Sequence, residues 1–145
     1  MNWKKEAEND LRNYTRRVES LAATKEKIEA LSDQMHAIKA GLSDSTPVIG
    51  SGNRAQENII NCIAEIERLQ LTQKAVERLI ALVEKGLKSL TEEEYKVLDL
   101  FYIHRVKGHV EQLSEMFHLE QAQIYRIKDA ALYKFTTAIY GLTEY

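Results

Sequence analysis

The sequence predicts an all-α fold in which a long antiparallel helical hairpin is followed by a helix-turn-helix domain. The 145 residues include one proline and six glycines, so helix breakers are few. Apolar residues recur mostly at spacings of three and four, and β-branched residues do not form the alternating runs typical of strands. Both observations favour helices along the whole chain.

The composition excludes several classes of protein. The chain holds 22 acidic residues and 20 Lys or Arg, which argues against non-specific coating of nucleic acid but leaves a selective DNA reader open. Cys62 is the only cysteine, so no internal disulfide forms. No run approaches the roughly 18 apolar residues of a membrane span, and the first residues lack the apolar core of a signal peptide. We therefore expect a soluble, cytoplasmic protein.

Two long amphipathic helices are predicted in the first part of the chain, over residues 3–40 and 54–87. Gly41 is expected to end the first helix in the left-handed conformation. The break at 42–53 holds the only proline. Two helices of similar length joined by one loop should fold back on each other, so we assign residues 1–88 to an antiparallel, coiled-coil-like hairpin domain.

The second long helix has more apolar surface than a two-helix hairpin can bury. Asn53 is expected to cap this helix, with Gln56 completing an approximate capping box. The apolar residues beyond its main stripe are Ile60, Cys62, Leu71, Leu79 and Leu82. We expect a homodimer to bury them in a four-helix bundle, or else the C-terminal domain to cover them. Cys62 is expected to be a buried, inert thiol.

Residues 89–145 are predicted to form a second, smaller domain. Thr91 and Glu94 have the spacing of a capping box, which starts a helix that should reach about His104. A break with one glycine follows, over 105–109. Two further helices are predicted over residues 110–117 and 120–140.

The short connection between these last two helices predicts a helix-turn-helix, with Leu119 filling the turn. The second helix should bury Ile124, Ile127, Ala131, Leu132 and Phe135. Its opposite side should present Gln121, Ala122, Tyr125, Arg126 and Asp129. Gln and Arg side chains can each make paired hydrogen bonds to base edges in the major groove.

Residues 112–135, QLSEMFHLEQAQIYRIKDAALYKF, resemble the C-terminal DNA-binding region of bacterial sigma factors, region 4 of the sigma-70 family. Residues 90–102, LTEEEYKVLDLFY, match the helix that opens the same region. The whole layout is similar to small phage and prophage transcription regulators of the ArpU and RinA type. These combine a long helical hairpin with a sigma-like helix-turn-helix.

The resemblance implies a sigma-70 region 4-like helix-turn-helix that binds double-stranded DNA at a phage or prophage promoter. It implies that Gln121, Ala122 and Arg126 read bases, while Lys128 and Lys134 contact phosphates. The complete predicted DNA-contact set is Gln121, Ala122, Gln123, Tyr125, Arg126, Lys128, Lys134, Arg105 and Lys107. His118 departs from the family pattern, which has a glycine in the turn.

The charge of the C-terminal domain keeps a second hypothesis open. Residues 91–145 hold six cations and nine acids, a net charge of −3. DNA binding by one copy should therefore be weak and strongly salt dependent, and dimerisation should strengthen it. The alternative is an interaction module that docks on RNA polymerase or a phage protein without reading DNA. Exposed apolar residues such as Phe101 or Tyr102 would then make the contact.

A metal site and an active site are both disfavoured by the sequence. His104, His109 and His118 are close in sequence, but no cysteine joins them and each falls on a separate element. The chain has no Gly-rich phosphate loop and no Ser-His-Asp or Cys-His arrangement at usable spacing. We expect neither an enzyme nor a cofactor.

Overall fold

The computed structural model describes residues 2–44 and 51–141 of the chain. Within these residues the chain forms five α-helices and one π-helix, and it forms no strand. The prediction of an all-α fold is confirmed. The α-helices are α1 (Trp3–Asp44), α2 (Ser51–Lys88), α3 (Glu92–Leu98), α4 (His109–Phe117) and α5 (Gln121–Tyr140), and the π-helix is Asp99–Ile103.

Two predicted helix ends in the hairpin are wrong. Gly41 lies inside α1, which continues to Asp44. A single glycine costs a helix only about 1 kcal/mol relative to alanine, so its neighbours can carry the helix past it. α2 begins at Ser51, which puts Asn53 inside the helix rather than at its cap. The remainder of the predicted loop, residues 45–50, lies outside the described residues.

The predicted helix from Thr91 to His104 is wrong in its second half. The capping box at its start is confirmed, since the Thr91 Oγ1 accepts from the Glu94 amide at 3.2 Å and the Glu94 carboxylate accepts from the Thr91 amide at 3.0 Å. After Leu98, however, the chain widens into the π-helix. The His104 amide closes it by donating to the Asp99 carbonyl oxygen, five residues back, at 2.7 Å.

The described residues divide into two compact units, and the division differs from the predicted boundary at residue 88. One unit, called here the core unit, combines Met1–Val18 with Arg78–Tyr145. The other, the hairpin unit, is Glu19–Glu77. Both ends of the long hairpin thus belong with the C-terminal helices.

The core unit is built around the inner side of α5. Ile124, Ala131, Leu132 and Phe135 are all fully buried there, as their helical spacing predicts, and Ile127 is half-buried. The long helices contribute the fully buried residues Ala7, Leu11 and Val83 to the same cluster. Leu11 and Val83 lie on the two long helices predicted to be amphipathic, but periodicity could not show that the C-terminal helices cover them.

Gly86 of α2 packs directly against α5. It lies inside α2, within the helix predicted over 54–87, and it is buried. A Cβ at this position would lie 2.6 Å from two ring carbons of Phe135 and 2.7 Å from the Ile139 Cγ2. Only a residue without a side chain lets the two helices pack this closely.

A polar cluster joins the start of α1 to the end of α5. The Asp10 carboxylate is buried, with 7% of the residue exposed, and it accepts from the Tyr140 hydroxyl and from Arg17 Nη1, the latter at 3.0 Å. The Trp3 ring lies 4.8 Å from that of Tyr140, centroid to centroid. Burial and the hydrogen bond to Asp10 raise the pKa of Tyr140 well above its ordinary value. The hydroxyl therefore stays protonated and remains a donor.

The hairpin unit pairs the middle of α1 with the first part of α2. Cys62 and Leu69 of α2 are buried, and Lys25 Nζ of α1 lies 4.0 Å from the Glu77 Oε1 of α2. The prediction of a buried Cys62 is confirmed. Ile60 and Leu71, in contrast, are 63% and 69% exposed.

Candidate nucleic-acid interface

Three residues, His118, Leu119 and Glu120, separate α4 from α5 and form the turn of a helix-turn-helix. His118 has φ 55° and ψ 44°, the left-handed conformation for which glycine is better suited. The turn is held by Ser114, whose carbonyl oxygen accepts from the amides of His118 and Leu119 and whose hydroxyl donates to the Leu119 carbonyl. Leu119 packs against the core cluster, as predicted.

α5 begins without a side-chain cap. Glu120 at the N-cap is extended, with ψ 151°, and its side chain makes no capping hydrogen bond. Its carbonyl oxygen accepts from the amides of Gln123 and Ile124 at 3.0 and 3.2 Å. The side chain of Glu120 therefore does not cap α5.

The exposed side of the first two turns of α5 is called here the outer face of α5, and it comprises Gln121, Ala122, Tyr125 and Arg126. Ile124, directly beneath it, is fully buried. Because residues four apart stack along a helix, these residues form two adjacent rows of two. Gln123 lies at the edge of the face, half-buried, and its Oε1 accepts from Arg126 Nη1 at 3.3 Å.

Phe101 of the π-helix supports the outer face of α5 from below. Its ring meets the Tyr125 ring edge to face at 5.8 Å and the His109 ring edge to face at 4.5 Å, centroid to centroid. Lys128 Nζ lies 5.9 Å from the centre of the same ring. The sequence did not predict this role. It indicated a single helix from Thr91 to His104, and nothing in that pattern singled out Phe101 for burial.

The burial of Phe101 and Tyr102 corrects the contact residues expected under the alternative hypothesis. That hypothesis named the two as examples of exposed apolar residues that would contact a protein partner. Both are buried, with 7% of each residue exposed. The physical reason is that Val97–Ile103 is buried at every position, so this segment lies in the core rather than on the surface.

The predicted cationic residues fall into two groups. Arg105 and Lys107 are exposed in the loop before α4, and neither makes an ion pair within the described residues. This loop leads directly into His109, which contacts Phe101 beneath Tyr125. His109, at the end of this loop, and Tyr125 of the outer face of α5 thus contact the same ring.

The other two cations are paired with acids. Lys128 Nζ lies 2.7 Å from the Asp129 Oδ1, and only 17% of the Lys128 side chain is exposed. Lys134 Nζ donates to the Glu94 Oε1 at 2.9 Å. A phosphate at either position would have to compete with a carboxylate.

The three histidines do not converge. His104 Nδ1 lies 2.6 Å from the Asp99 Oδ1, His109 Nδ1 lies 3.2 Å from the Val106 carbonyl oxygen, and His118 forms the turn. No group of three potential metal ligands occurs within residues 2–44 and 51–141. Over the same residues, no helix is both long and apolar enough to cross a bilayer.

No protein-family model, curated protein or solved structure matches this chain. The resemblance to sigma region 4 and to phage regulators thus remains a prediction that rests on the residues quoted for it.

Proposed function

We propose that this chain is a sequence-specific transcription regulator that binds double-stranded DNA and acts as a homodimer in the cytoplasm. The observation that carries the proposal is the outer face of α5, which presents Gln121, Tyr125 and Arg126 above a fully buried Ile124. The helix that follows the turn in a helix-turn-helix enters the major groove and contacts bases with its first turns. The phage or prophage origin implied by the resemblance belongs to the same proposal.

The side chains of this face have the chemistry of base recognition. Arg126 can donate two parallel hydrogen bonds to guanine, and Gln121 can pair with adenine. Ala122 can contact only a thymine methyl group. The side-chain oxygen of Gln123 accepts a hydrogen bond from Arg126. This contact already restricts the Arg126 side chain in the free protein, so less side-chain entropy is lost when Arg126 binds a base.

Arg105 and Lys107 are the candidates for phosphate contact. Both are exposed and unpaired within the described residues, whereas Lys128 and Lys134 are held by acids. With so few available cations, the affinity of a single copy should be low at physiological salt. Two copies on adjacent half-sites, about 34 Å apart or a multiple of that spacing, would compensate.

The first experiment selects binding sites from random duplex DNA and then measures affinity for the selected duplex by fluorescence anisotropy. Arg126→Ala should cost about 1–3 kcal/mol and relax preference at one base pair. Arg16→Ala is the matched control, since Arg16 is an exposed arginine that lies on α1 rather than on α5. Enrichment of no sequence, or equal losses for both variants, would overturn the proposal.

The salt dependence distinguishes phosphate contacts from base contacts. Lys107→Ala should weaken binding to all sequences alike and should reduce the slope of log K against log salt by about one contact. If Lys107→Ala instead changed sequence preference and left the slope unaltered, the assignment of Lys107 to phosphate would be wrong.

A further inference from the structure

The loop before α4, residues 104–108 and called here the α4 loop, is exposed at every position. It carries Arg105 and Lys107, and neither makes an ion pair or a side-chain hydrogen bond within the described residues. Val106 lies between them and is 40% exposed, although it is apolar. The α4 loop therefore presents two available cations with an apolar side chain between them.

The α4 loop is anchored at both of its ends. At the start, His104 Nδ1 lies 2.6 Å from the Asp99 Oδ1, and the His104 amide donates to the Asp99 carbonyl oxygen at 2.7 Å. At the end, His109 Nδ1 lies 3.2 Å from the Val106 carbonyl oxygen, and the His109 ring packs edge to face on Phe101. A loop held in this way loses little conformational entropy when it binds a ligand.

The α4 loop is close to the outer face of α5. The rings of His109 and Tyr125 lie 4.5 and 5.8 Å from the centre of the Phe101 ring, so their own centres are at most about 10 Å apart. In a DNA duplex the centres of the major groove and the next minor groove are about 15 Å apart, with one sugar-phosphate strand between them. When α5 lies in the major groove, a long side chain of the α4 loop can therefore reach across that strand.

The sequence of α4 leaves the contacts with this strand to the α4 loop. In a helix-turn-helix, the helix before the recognition helix crosses the sugar-phosphate backbone. α4 contains no Lys or Arg, and Glu111 and Glu115 are exposed on it. The cations nearest to the crossing in the chain are Arg105 and Lys107, directly before α4.

We propose that the Arg105 side chain enters the minor groove beside the bases that α5 reads and selects A·T pairs there. This inference rests on the proposed function and deepens it by adding a second recognised stretch of the duplex. A guanidinium is more weakly hydrated than an ammonium, so Arg gives up its water more readily than Lys in a narrow groove. Lys107 remains on the phosphate strand, and Val106 packs against the sugars.

The chemistry of the minor groove determines the selectivity. A·T and T·A pairs present only acceptors there, adenine N3 and thymine O2, and a guanidinium can donate to both. A G·C pair adds the 2-amino group of guanine, which is a donor and opposes another donor. Runs of A·T also narrow the groove and strengthen its negative potential. Arg105 should thus distinguish A·T from G·C but not A·T from T·A.

Base analogues test which groove is read. Site selection with the parent protein should enrich A·T pairs beside the positions that Arg126 reads. In fluorescence anisotropy, replacing these A·T pairs by G·C should weaken binding about five- to tenfold. Replacing them by inosine·cytosine should weaken it less than about twofold, because inosine is guanine without the 2-amino group. Selected sites without an A·T flank, or an inosine·cytosine flank as unfavourable as G·C, would overturn the proposal.

Two variants of the α4 loop test the residue. Arg105→Ala should bind the A·T and G·C flanks equally to within about twofold, and it should keep its preference at the positions that Arg126 reads. Lys107→Ala is the matched control, because it removes one charge from the same loop. It should weaken binding to both flanks alike and leave their ratio unaltered. Retention of the flank preference in Arg105→Ala, or its loss in Lys107→Ala, would refute the assignment to Arg105.

The inference and the proposed function fail in different ways. A parent protein that selects bases through Arg126 but accepts any flank refutes only the role of Arg105. A parent protein that enriches no sequence refutes the proposed function and the inference with it. If A·T flanks are preferred while Arg126→Ala changes no preference, base reading by α5 is refuted and the minor-groove contact is retained.

Discussion

Substitution of Gly86 by alanine probes how closely α2 and α5 pack in the core unit. An added Cβ would lie 2.6 Å from the Phe135 ring and 2.7 Å from Ile139. Carbon atoms in ordinary contact are about 3.5–4.0 Å apart, so a displacement of roughly 1 Å is required. Phe135 is fully buried, so its ring can yield only if its neighbours also move.

The expected magnitude follows from a matched pair of glycines. Gly41 also lies inside a helix, but a Cβ there would meet nothing within 4 Å. Gly41→Ala should therefore stabilise its helix by about 0.5–1 kcal/mol. Gly86→Ala makes the same gain in helix propensity but adds an overpacking cost of about 1–3 kcal/mol. The net effect of Gly86→Ala should be a destabilisation of up to about 2 kcal/mol.

Urea unfolding followed by Trp3 fluorescence measures the effect in the core unit. Trp3 is the only tryptophan and stacks on Tyr140, so its emission reports the junction of α1 and α5. Gly86→Ala should lower the unfolding midpoint of this signal, whereas Gly41→Ala should not. Circular dichroism at 222 nm provides the same comparison for the whole chain.

A double-mutant cycle identifies the cause. In a Phe135→Leu background the ring carbons nearest to Gly86 are absent, so Gly86→Ala should cost less there by about 1 kcal/mol or more. If Gly86→Ala stabilises the protein as much as Gly41→Ala does, the close approach of α2 to α5 does not exist in solution. If its cost is the same with Phe135 and with leucine, Phe135 is not the residue that the added Cβ meets.

Two further predictions concern polar groups of the core unit. Tyr140→Phe removes the hydroxyl that donates to the buried Asp10. It should lower the free energy of unfolding in urea by about 1.5–3 kcal/mol, because the acceptor is a carboxylate. An unchanged unfolding midpoint would show that this hydrogen bond does not stabilise the protein. Burial raises the pKa of Glu94, but the hydrogen bonds from Thr91 and Lys134 outweigh it and hold the pKa below its ordinary value. The contribution of Glu94 is therefore present at neutral pH and is lost as the pH falls through this lowered pKa. Glu94→Gln should lower stability at pH 7 more than at pH 3, and an equal loss at both would contradict the shift.

The sequence was most informative for α5, where local periodicity determines which residues are buried. Ile124, Leu132 and Phe135 were predicted to face the core, and Tyr125 and Arg126 to face outward. A helix repeats every 3.6 residues, so its apolar stripe can be assigned without knowledge of what covers it. The capping box at Thr91 was predictable for the same reason, since both partners lie within one turn.

The sequence could not predict the contacts that support the candidate site. Phe101 lies 24 residues before Tyr125 in the chain, and nothing in the local pattern of either residue indicates the other. Lys134 similarly pairs with Glu94, which is 40 residues away. Both contacts depend on how α3 and the π-helix pack against α5.

The sequence by itself determined the all-α class, the order of the helices and the outward face of α5, because these depend on local spacing and on a shortage of helix breakers. Tertiary structure alone decided that Gly86 is a packing contact, that Phe101 lies in the core, and that the two ends of the hairpin belong with the C-terminal helices. The physical reason is that the burial of a residue depends on side chains that are distant in the sequence. The apolar stripe of a helix shows which of its sides must be buried, whereas only the folded chain shows which residues bury it.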